Sequence, residues 1–131
     1  MQINCDGGSR GNPGAAAYGF VVKKGGKIIK EGYGYIGIAT NNFAEYTALI
    51  EALKWLAENA PGEALDFNLD SQLVVSQLTG LYKIKNASIK NLVQIVKELE
   101  SKFKEVSYKH IPREQNKEAD KLVNKALDAH E

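Results

Sequence analysis

Apolar and polar residues alternate with a period of two through the first third of the chain, which predicts β-strands. The pattern places a first strand over residues 1–6 or 1–9, a second over Ala16–Lys24 and a third over Lys27–Ile36. Gly25-Gly26 is a typical hairpin turn between the last two. Three strands with such short connections predict an antiparallel meander.

The period then changes to that of a helix over Phe43–Ala60. Asn42 is the expected N-cap, with Glu45 three residues further on as its capping-box partner. Pro61-Gly62 ends the helix. Five apolar residues form the stripe that we expect to face the core: Tyr46, Leu49, Ile50, Leu53 and Leu56.

Strands and helices alternate in the second half of the chain. The predicted elements are a strand over 64–70, a helix over Ser71–Leu78, a helix over Ala87–Phe103, a strand over Val106–Ile111 and a helix over Asn116–Ala129. Residues 81–86 are a predicted linker, and Pro112–Gln115 a loop. A meander followed by this alternation predicts an α/β fold with a mixed sheet flanked by helices.

Length and composition narrow the class of protein. The 131 residues fit one domain, 1–131, with an ordinary apolar fraction for a globular protein. A net charge of +1 means that any nucleic acid must be held by a local patch. The single Cys5 excludes an internal disulfide, and we expect it to be buried and structural. Without a signal-peptide pattern or a membrane-length apolar run, the expected location is cytoplasmic.

Four acidic residues fall at the ends of predicted elements. Asp6 ends the first strand and enters a run rich in Gly and Pro, Gly7–Gly14. Asp70 ends the fourth strand, and if these two strands are parallel neighbours their acids meet at one sheet edge. Glu45 and Asp120 occupy the expected first turns of two helices. Oxygen ligands clustered in this way suit hard cations such as Mg²⁺ or Mn²⁺.

Each acid also has an ordinary structural interpretation. Asp6 could be a solvated residue before a hairpin, and Glu45 could complete the capping box. Asp70 could cap the helix that starts at Ser71, and Asp120 could complement a helix dipole. The common location of all four favours a shared site over four separate caps.

Four short motifs carry a resemblance to a known family. They are Asp6-Gly7-Gly8 with Asn12-Pro13-Gly14, then Thr40–Tyr46, then Asp70–Val74, and finally His110–Asp120. In this order and on these elements, they resemble the motifs of type 1 ribonucleases H, particularly the compact archaeal and some bacterial members. The resemblance covers essentially the whole chain, although the short stretch 79–90 lacks the extra basic helix of some relatives.

The resemblance implies a five-stranded mixed sheet in the order 3-2-1-4-5. It also implies an endonuclease that hydrolyses the RNA strand of RNA–DNA hybrids with two Mg²⁺ or Mn²⁺ ions. Asp6 would bridge both ions, Glu45 and Asp70 would hold the ion that activates water, and Asp120 would complete the other. We expect the protein to act as a monomer.

His110 and Arg113 compete for a role beside the phosphate. An imidazole can carry a proton near neutral pH, whereas a guanidinium stays protonated and can only hold phosphate or order water. His110 lies at a predicted strand end, where a packed side chain is equally plausible, so Arg113 on the loop is favoured as the nearer residue.

Amide side chains complete the implied binding site. Asn12, Asn41, Asn42 and Gln72 resemble the family's minor-groove readers, and amides can both donate to and accept from base edges and the 2′-OH. Turn and cap chemistry would explain Asn12 and Asn42 equally well. Thr40 is expected to hold a DNA phosphate together with Lys83, Lys85 or Asn86.

Three alternatives remain open from the sequence. The first is a nuclease of the same fold that also cuts double-stranded RNA. The second is a hybrid-binding module without chemistry, which the presence of all four acids disfavours. The third is a metal-binding α/β domain that has no nucleic-acid partner.

Overall fold

The computed structural model describes residues 1–130, and its centre is one five-stranded sheet. The strand order is β3-β2-β1-β4-β5, as predicted. β1, β2 and β3 form the antiparallel meander, while β4 pairs in parallel with both β1 and β5. The strand bounds are β1 Gln2–Gly11, β2 Gly14–Lys24, β3 Lys27–Ala39, β4 Ala64–Leu69 and β5 Glu105–His110.

The helices follow in the predicted order. They are α1 Asn41–Asn59, α2 Gln72–Leu78, α3 Ala87–Glu100 and α4 Lys117–His130. A single 3₁₀ turn, Arg113–Gln115, occupies the predicted loop before α4. None of the helices that the structure describes has the length and apolarity needed to cross a bilayer.

Element ends are where the predictions were least accurate. The meander strands extend beyond their predicted ends because backbone pairing continues through Gly11 and Ala39, where the alternation of side chains no longer signals a strand. α3 ends at Glu100, three residues earlier than predicted. Phe103 nevertheless packs in the core, so the apolar pattern continued past the end of the helix.

The cap of α1 was wrongly assigned to Asn42. The helix begins at Asn41, and the Thr40 hydroxyl accepts a hydrogen bond from the backbone N–H of Phe43 at 3.2 Å. Glu45 is consequently in the second turn, outside any capping box. Thr40 satisfies the exposed N–H that an N-cap serves, which leaves the Glu45 carboxylate available for tertiary contacts.

The structural interpretation of Asp70 as the N-cap of α2 is also wrong. The Ser71 hydroxyl accepts from the backbone N–H of Val74 at 3.2 Å, so Ser71 is the N-cap and Asp70 is not.

Two apolar layers hold the helices to the sheet. The larger layer contains the predicted stripe of α1, the inward side chains of β1 and β4, and the apolar face of α3. Cys5 is fully buried in this layer, as expected. The smaller layer holds α4 against the opposite face through Ala17, Val123, Ala126 and Leu127. Apolar burial of this kind is the dominant favourable contribution to folding, and it fixes α1 and α4 on opposite sides of β1.

Candidate active site

Asp6 lies where the parallel pairing of β1 with β4 ends. The register places Cys5 opposite Leu69, so the next residues along the two strands are Asp6 and Asp70. Parallel strands carry their C-terminal ends to the same edge of the sheet, which is where open α/β sheets bind ligands. The sheet therefore brings these two acids together, as the strand pattern predicts. Asp6 is only 6% exposed.

Glu45 reaches Asp6 because α1 crosses β1 in direct backbone contact. A Cβ at Gly7 would overlap the carbonyl carbon of Ala44 and the amide nitrogen of Glu45. Only glycine permits an approach this close. Gly7 is therefore a structural requirement of the site, because the close approach of α1 that it allows places the Glu45 carboxylate beside Asp6.

Asp120 and Arg113 complete the cleft from the other side. Both line one open cavity of about 440 Å³ together with Asp6, Glu45 and Asp70. Asp120 is in the first turn of α4, and Arg113 is in the 3₁₀ turn that precedes the helix. All four predicted carboxylates thus share one cleft with two exposed guanidinium groups, those of Arg113 and Arg10.

Three of the acids form a potential metal-binding group. Asp6, Glu45 and Asp70 each offer one oxygen atom, and these atoms lie within 4.8 Å of one another. Glu45 Oε2 and Asp70 Oδ2 are buried and have no hydrogen-bond partner among the described residues. Buried polar atoms without partners are rare and costly in proteins. A hard divalent cation would satisfy both oxygens, so the donor set fits such an ion.

Two of the crowded carboxylates, those of Asp6 and Glu45, have raised pKa values. Burial, followed by the charge of Asp70, raises the pKa of Asp6 to about 7. Burial, followed by the charge of Asp6, raises the pKa of Glu45 well above its ordinary value. The cluster is thus electrostatically strained unless a cation or protons neutralise it.

A second cavity beside the acidic cleft is lined by amides. Its volume is about 580 Å³, and it contains five of the predicted substrate-binding residues: Asn12, Thr40, Asn41, Asn42 and Asn86. Asn41 and Asn42 line both cavities, so the two are adjacent. Apolar side chains, including the exposed Ile38 and Phe43, form the rest of this amide groove.

Hydrogen bonds connect Asn12, in the turn after β1, with Asn41 at the start of α1. Asn12 Oδ1 accepts from the backbone N–H of Asn41 at 3.0 Å. Asn41 Oδ1 accepts from the backbone N–H and the hydroxyl of Ser9 at 2.9 and 3.0 Å. Within residues 1–130, the Nδ2 group of neither asparagine makes a hydrogen bond. Turn chemistry therefore accounts for the carbonyl oxygens and leaves the donors available for a ligand.

Four other predicted residues are outside the lining of both cavities. His110 is exposed at the end of β5, so it is neither packed nor part of the acidic cleft. Gln72 donates from Nε2 to the Ser76 hydroxyl at 3.1 Å. Lys83 and Lys85 are exposed on the linker before α3. Asn86, which follows these lysines, does line the amide groove. Its Oδ1 also caps α3 by accepting from the backbone N–H of Ile89 at 3.1 Å.

The sequence interpretation missed a group of asparagines behind the acids. Asn4 and Asn116 are buried, and Asn68 is half-buried beside them. The available signal was parity, since a polar residue two positions before Asp6 and another two before Asp70 belong to the same strand faces as those acids.

The sheet order, the helices on both faces and the acidic cleft define the ribonuclease H-like class of α/β proteins. The family described as reverse transcriptase-like matches residues 4–126, and the chain belongs to it. The predicted kinship with type 1 ribonucleases H is confirmed by its relatives. The chain is 45% identical over 124 residues to ribonuclease HI of Halobacterium salinarum, which covers 94% of this chain and 62% of that protein.

Two further proteins extend the comparison. The chain is 42% identical over 131 residues to the bifunctional protein Rv2228c of Mycobacterium tuberculosis, covering 98% of this chain but 36% of that protein. The chain thus spans only part of these curated relatives. Its structure is similar to that of LC11-RNase H1 in complex with an RNA/DNA hybrid, with a TM-score of 0.94, 38% identity and coverage of 98% and 97% of the two chains. The ribonuclease H family depends on divalent metal, and the buried acidic cluster agrees with this.

Proposed function

We propose that this chain is a metal-dependent endonuclease that hydrolyses the RNA strand of RNA–DNA hybrids. The observation that carries the proposal is the cluster of Asp6, Glu45 and Asp70, whose two unpartnered buried oxygens call for a cation. The adjacent amide groove and the hybrid bound by the similar LC11-RNase H1 support the choice of substrate. The chain acts as a single catalytic domain and as a monomer.

The acidic cluster, together with Asp120 in the same cleft, would hold two Mg²⁺ or Mn²⁺ ions. Such ions supply an activated water nucleophile and stabilise the charge that develops on the scissile phosphate and its leaving oxygen. Asp6 would serve both ions, Glu45 and Asp70 would hold one of them, and Asp120 would hold the other.

Two guanidinium groups line the cleft; Arg10 is paired with Asp128, and Arg113 is the one that contacts the phosphate. Its guanidinium is permanently charged and can donate two parallel hydrogen bonds to phosphate oxygens. It lines the same cavity as the four acids, whereas His110 does not. Arg113 therefore holds the scissile phosphate, and His110 makes no direct contact with it.

The amide groove holds the hybrid next to the acids. The Nδ2 donors of Asn12 and Asn41 face no internal acceptor, so they can bond to base edges in the minor groove or to the 2′-OH of the RNA strand. Thr40 and Asn86 lie along the same groove and contact a phosphate of the DNA strand, with Lys83 and Lys85 adding charge from the linker.

Cleavage of labelled duplexes tests the proposal. An RNA–DNA hybrid, the matched RNA duplex and the matched DNA duplex are each incubated with the protein in Mg²⁺ and in EDTA. We expect cleavage of the RNA in the hybrid, only in Mg²⁺. Cleavage of the RNA duplex as well would support the broader nuclease, while hybrid binding without cleavage would support a binding module. Absence of both binding and cleavage would contradict any nucleic-acid function.

Asp70→Asn is the matched variant for this experiment. The substitution keeps the shape of the side chain and removes one ligand charge, and Ser71 retains the helix cap. We expect the variant to bind the hybrid with near-normal affinity in a filter-binding assay and to lose at least a thousandfold of its turnover, on the order of the losses known for essential catalytic groups.

A further inference from the structure

Three asparagines form a continuous chain of side-chain hydrogen bonds behind the acidic cleft. Asn68 on β4 donates from Nδ2 to Asn4 Oδ1 at 3.2 Å. Asn4 on β1 donates from Nδ2 to Asn116 Oδ1 at 3.1 Å. Asn116 donates from Nδ2 to the backbone carbonyl oxygen of Cys5 at 2.8 Å. This amide chain, Asn68–Asn4–Asn116, links two strands to the residue that precedes α4.

Asn116 connects the backbones that carry two of the predicted metal ligands. The Cys5 carbonyl that it binds belongs to the peptide group joining Cys5 to Asp6. Its own carbonyl oxygen accepts from the backbone N–H of Asp120 at 3.1 Å, in the first turn of α4. A single residue with no exposed surface therefore joins the peptide of Asp6 to the turn that presents Asp120.

The close contact of Ala119 with Gly19 sets the distance of α4 from the sheet, but it supplies no buried hydrogen bond to this turn. The buried side chains of α4 are all apolar, and apolar contacts are non-directional; they are Ala119, Leu122, Val123, Ala126 and Leu127. The ion pairs Lys23–Glu118 and Arg10–Asp128 at 2.5 and 2.6 Å are solvent-exposed. Exposed pairs of this kind contribute little. The amide chain is the directional connection between α4 and the centre of the sheet.

We infer that Asn116, oriented by Asn4 and Asn68, is a positioning residue that sets the location of Asp120 relative to Asp6. The inference rests on the proposed function only for its catalytic consequence. Buried amides are costly unless their hydrogen bonds are made, and a fully connected network specifies one geometry. Because active sites lose activity when groups are misplaced by about 1 Å, the expected effect falls on turnover rather than on substrate binding.

Asn116→Ala is the first test, and Val96→Ala is its matched control. Val96 is equally buried but lies on α3, outside the cleft and the amide chain. Thermal melts define a temperature at which both variants are fully folded, and kcat and KM for the hybrid are then measured. We expect Asn116→Ala to lower kcat at least tenfold with KM within twofold, and Val96→Ala to change neither by more than twofold.

Asn4→Ala provides a milder variant in case Asn116→Ala does not fold. It removes the donor to Asn116 Oδ1 and leaves the bond from Asn116 to the Cys5 carbonyl. We expect a smaller loss of kcat, of about threefold. In the double variant Asn4→Ala/Asn116→Ala, the loss of kcat should not exceed that of Asn116→Ala alone, because the effects of substitutions within one network are non-additive. Multiplication of the two losses would mean that the residues act separately and would overturn the inference.

A Mn²⁺ titration without substrate gives a readout independent of turnover. Loss of the bond to the Cys5 carbonyl should loosen Asp6, so we expect Asn116→Ala to bind Mn²⁺ at least threefold more weakly by calorimetry, and Val96→Ala to bind it normally. If the wild-type chain cleaves the hybrid and Asn116→Ala matches Val96→Ala in both kcat and Mn²⁺ affinity, the positioning role is wrong. If the wild-type chain does not cleave but the Mn²⁺ difference is found, the proposed function is wrong and the positioning of Asp6 stands.

Discussion

At the scale of single residues, the acidic cluster opposes stability. Asp6 and Glu45 are buried beside Asp70, with two carboxylate oxygens unpartnered. A fold gains nothing from such an arrangement in the absence of a cation, since burial and like charges both disfavour ionisation. Groups of this kind are typical of sites where function is maintained at the expense of stability.

Asp6→Asn should be at least as stable as the wild type when metal is removed. The pKa of Asp6 is raised from 3.8 to about 7 in the folded state, so the folded protein binds more protons than the unfolded chain between those values. Wild-type stability must therefore fall as the pH rises from about 4 to about 7. We expect a gain on the order of 1 kcal/mol for Asp6→Asn at neutral pH, shrinking to nothing near pH 4. Urea unfolding in EDTA across this range measures it.

Adding a divalent metal ion should make the wild type more stable than Asp6→Asn, the reverse of their order in EDTA. A cation that binds only the folded wild-type site raises its Tm by linkage. Melts in millimolar Mg²⁺ should show a clear rise for the wild type and a much smaller rise for Asp6→Asn. Equal gains for both proteins, or an Asp6→Asn variant that melts well below wild type in EDTA, would make Asp6 a structural residue.

The comparison of Arg113→Ala with His110→Ala separates the two candidates for the phosphate role. Only Arg113 lines the acidic cleft, and both side chains are exposed, so neither substitution should disturb the core. We expect Arg113→Ala to lower kcat by tenfold or more and His110→Ala to change it less than threefold. The measurement is a rate profile from pH 6 to 9. A larger loss for His110→Ala, with an altered alkaline limb, would assign the role to the imidazole.

At the scale of elements, the site depends on how closely α1 approaches β1. The helix crosses the strand at Gly7 with no room for a side chain, and this contact places Glu45 beside Asp6. α4 approaches β2 in a similar way at Gly19, where a Cβ would lie 2.7 Å from the Ala119 carbonyl oxygen. Two glycines thus set how far the two helices that carry acids stand from the sheet.

Gly7→Ala and Gly8→Ala form a matched pair on one strand. At Gly7 the added methyl group would overlap the backbone of α1, whereas at Gly8 it would lie 3.7 Å from Val123 Cγ1, an ordinary contact. We expect Gly7→Ala to cost about 3 kcal/mol of unfolding free energy and to abolish cleavage, because overpacking must push α1 and Glu45 away. Gly8→Ala should cost less than about 1 kcal/mol. Chemical denaturation of both variants checks this, and equal costs would contradict the close-approach argument.

At the scale of the whole molecule, the net charge of the protein contributes little to its affinity for a nucleic acid. The net charge is +1, and no basic helix follows α2 in the described chain. Lys83 and Lys85 are the exposed cations of the linker near the amide groove. Affinity for a hybrid must then come from few phosphate contacts, which implies a shallow dependence on salt.

A double variant, Lys83→Ala with Lys85→Ala, should raise KM for the hybrid about three- to tenfold and leave kcat within twofold. The matched control is Lys102→Ala with Lys104→Ala, which removes the same charge near the start of β4, at the opposite end of the sheet from Asp70. The control should leave KM unchanged. The log–log slope of affinity against salt should also decrease by roughly one to two for the linker variant, as expected for lost phosphate contacts. Equal changes in both double variants would place the DNA strand elsewhere.

The sequence by itself determined the element order, the sheet order through the family motifs, and which four acids line one cleft. These follow from local information, namely the period-two alternation of the strands, the period of 3.6 in α1, and the spacing of the motifs. All three can be recognised in the sequence without knowledge of the tertiary structure. Burial of Cys5 and of the α1 stripe followed from the same patterns. The cap of α1 was misassigned because Thr40 and Asn42 are both good caps, and only backbone geometry selects between them.

Tertiary structure alone decided what surrounds each acid. The contact of α1 with Gly7 buries the Glu45 carboxylate beside Asp6, although the sequence also allowed a capping role for it. Ser71 caps α2, so the Asp70 carboxylate is not used as a cap. The same folding placed Arg113 inside the acidic cleft and His110 outside it. The amide chain Asn68–Asn4–Asn116 joins residues up to 112 positions apart. Sequence patterns report local periodicity, whereas these contacts arise from how strands pair and helices dock, which no local pattern encodes.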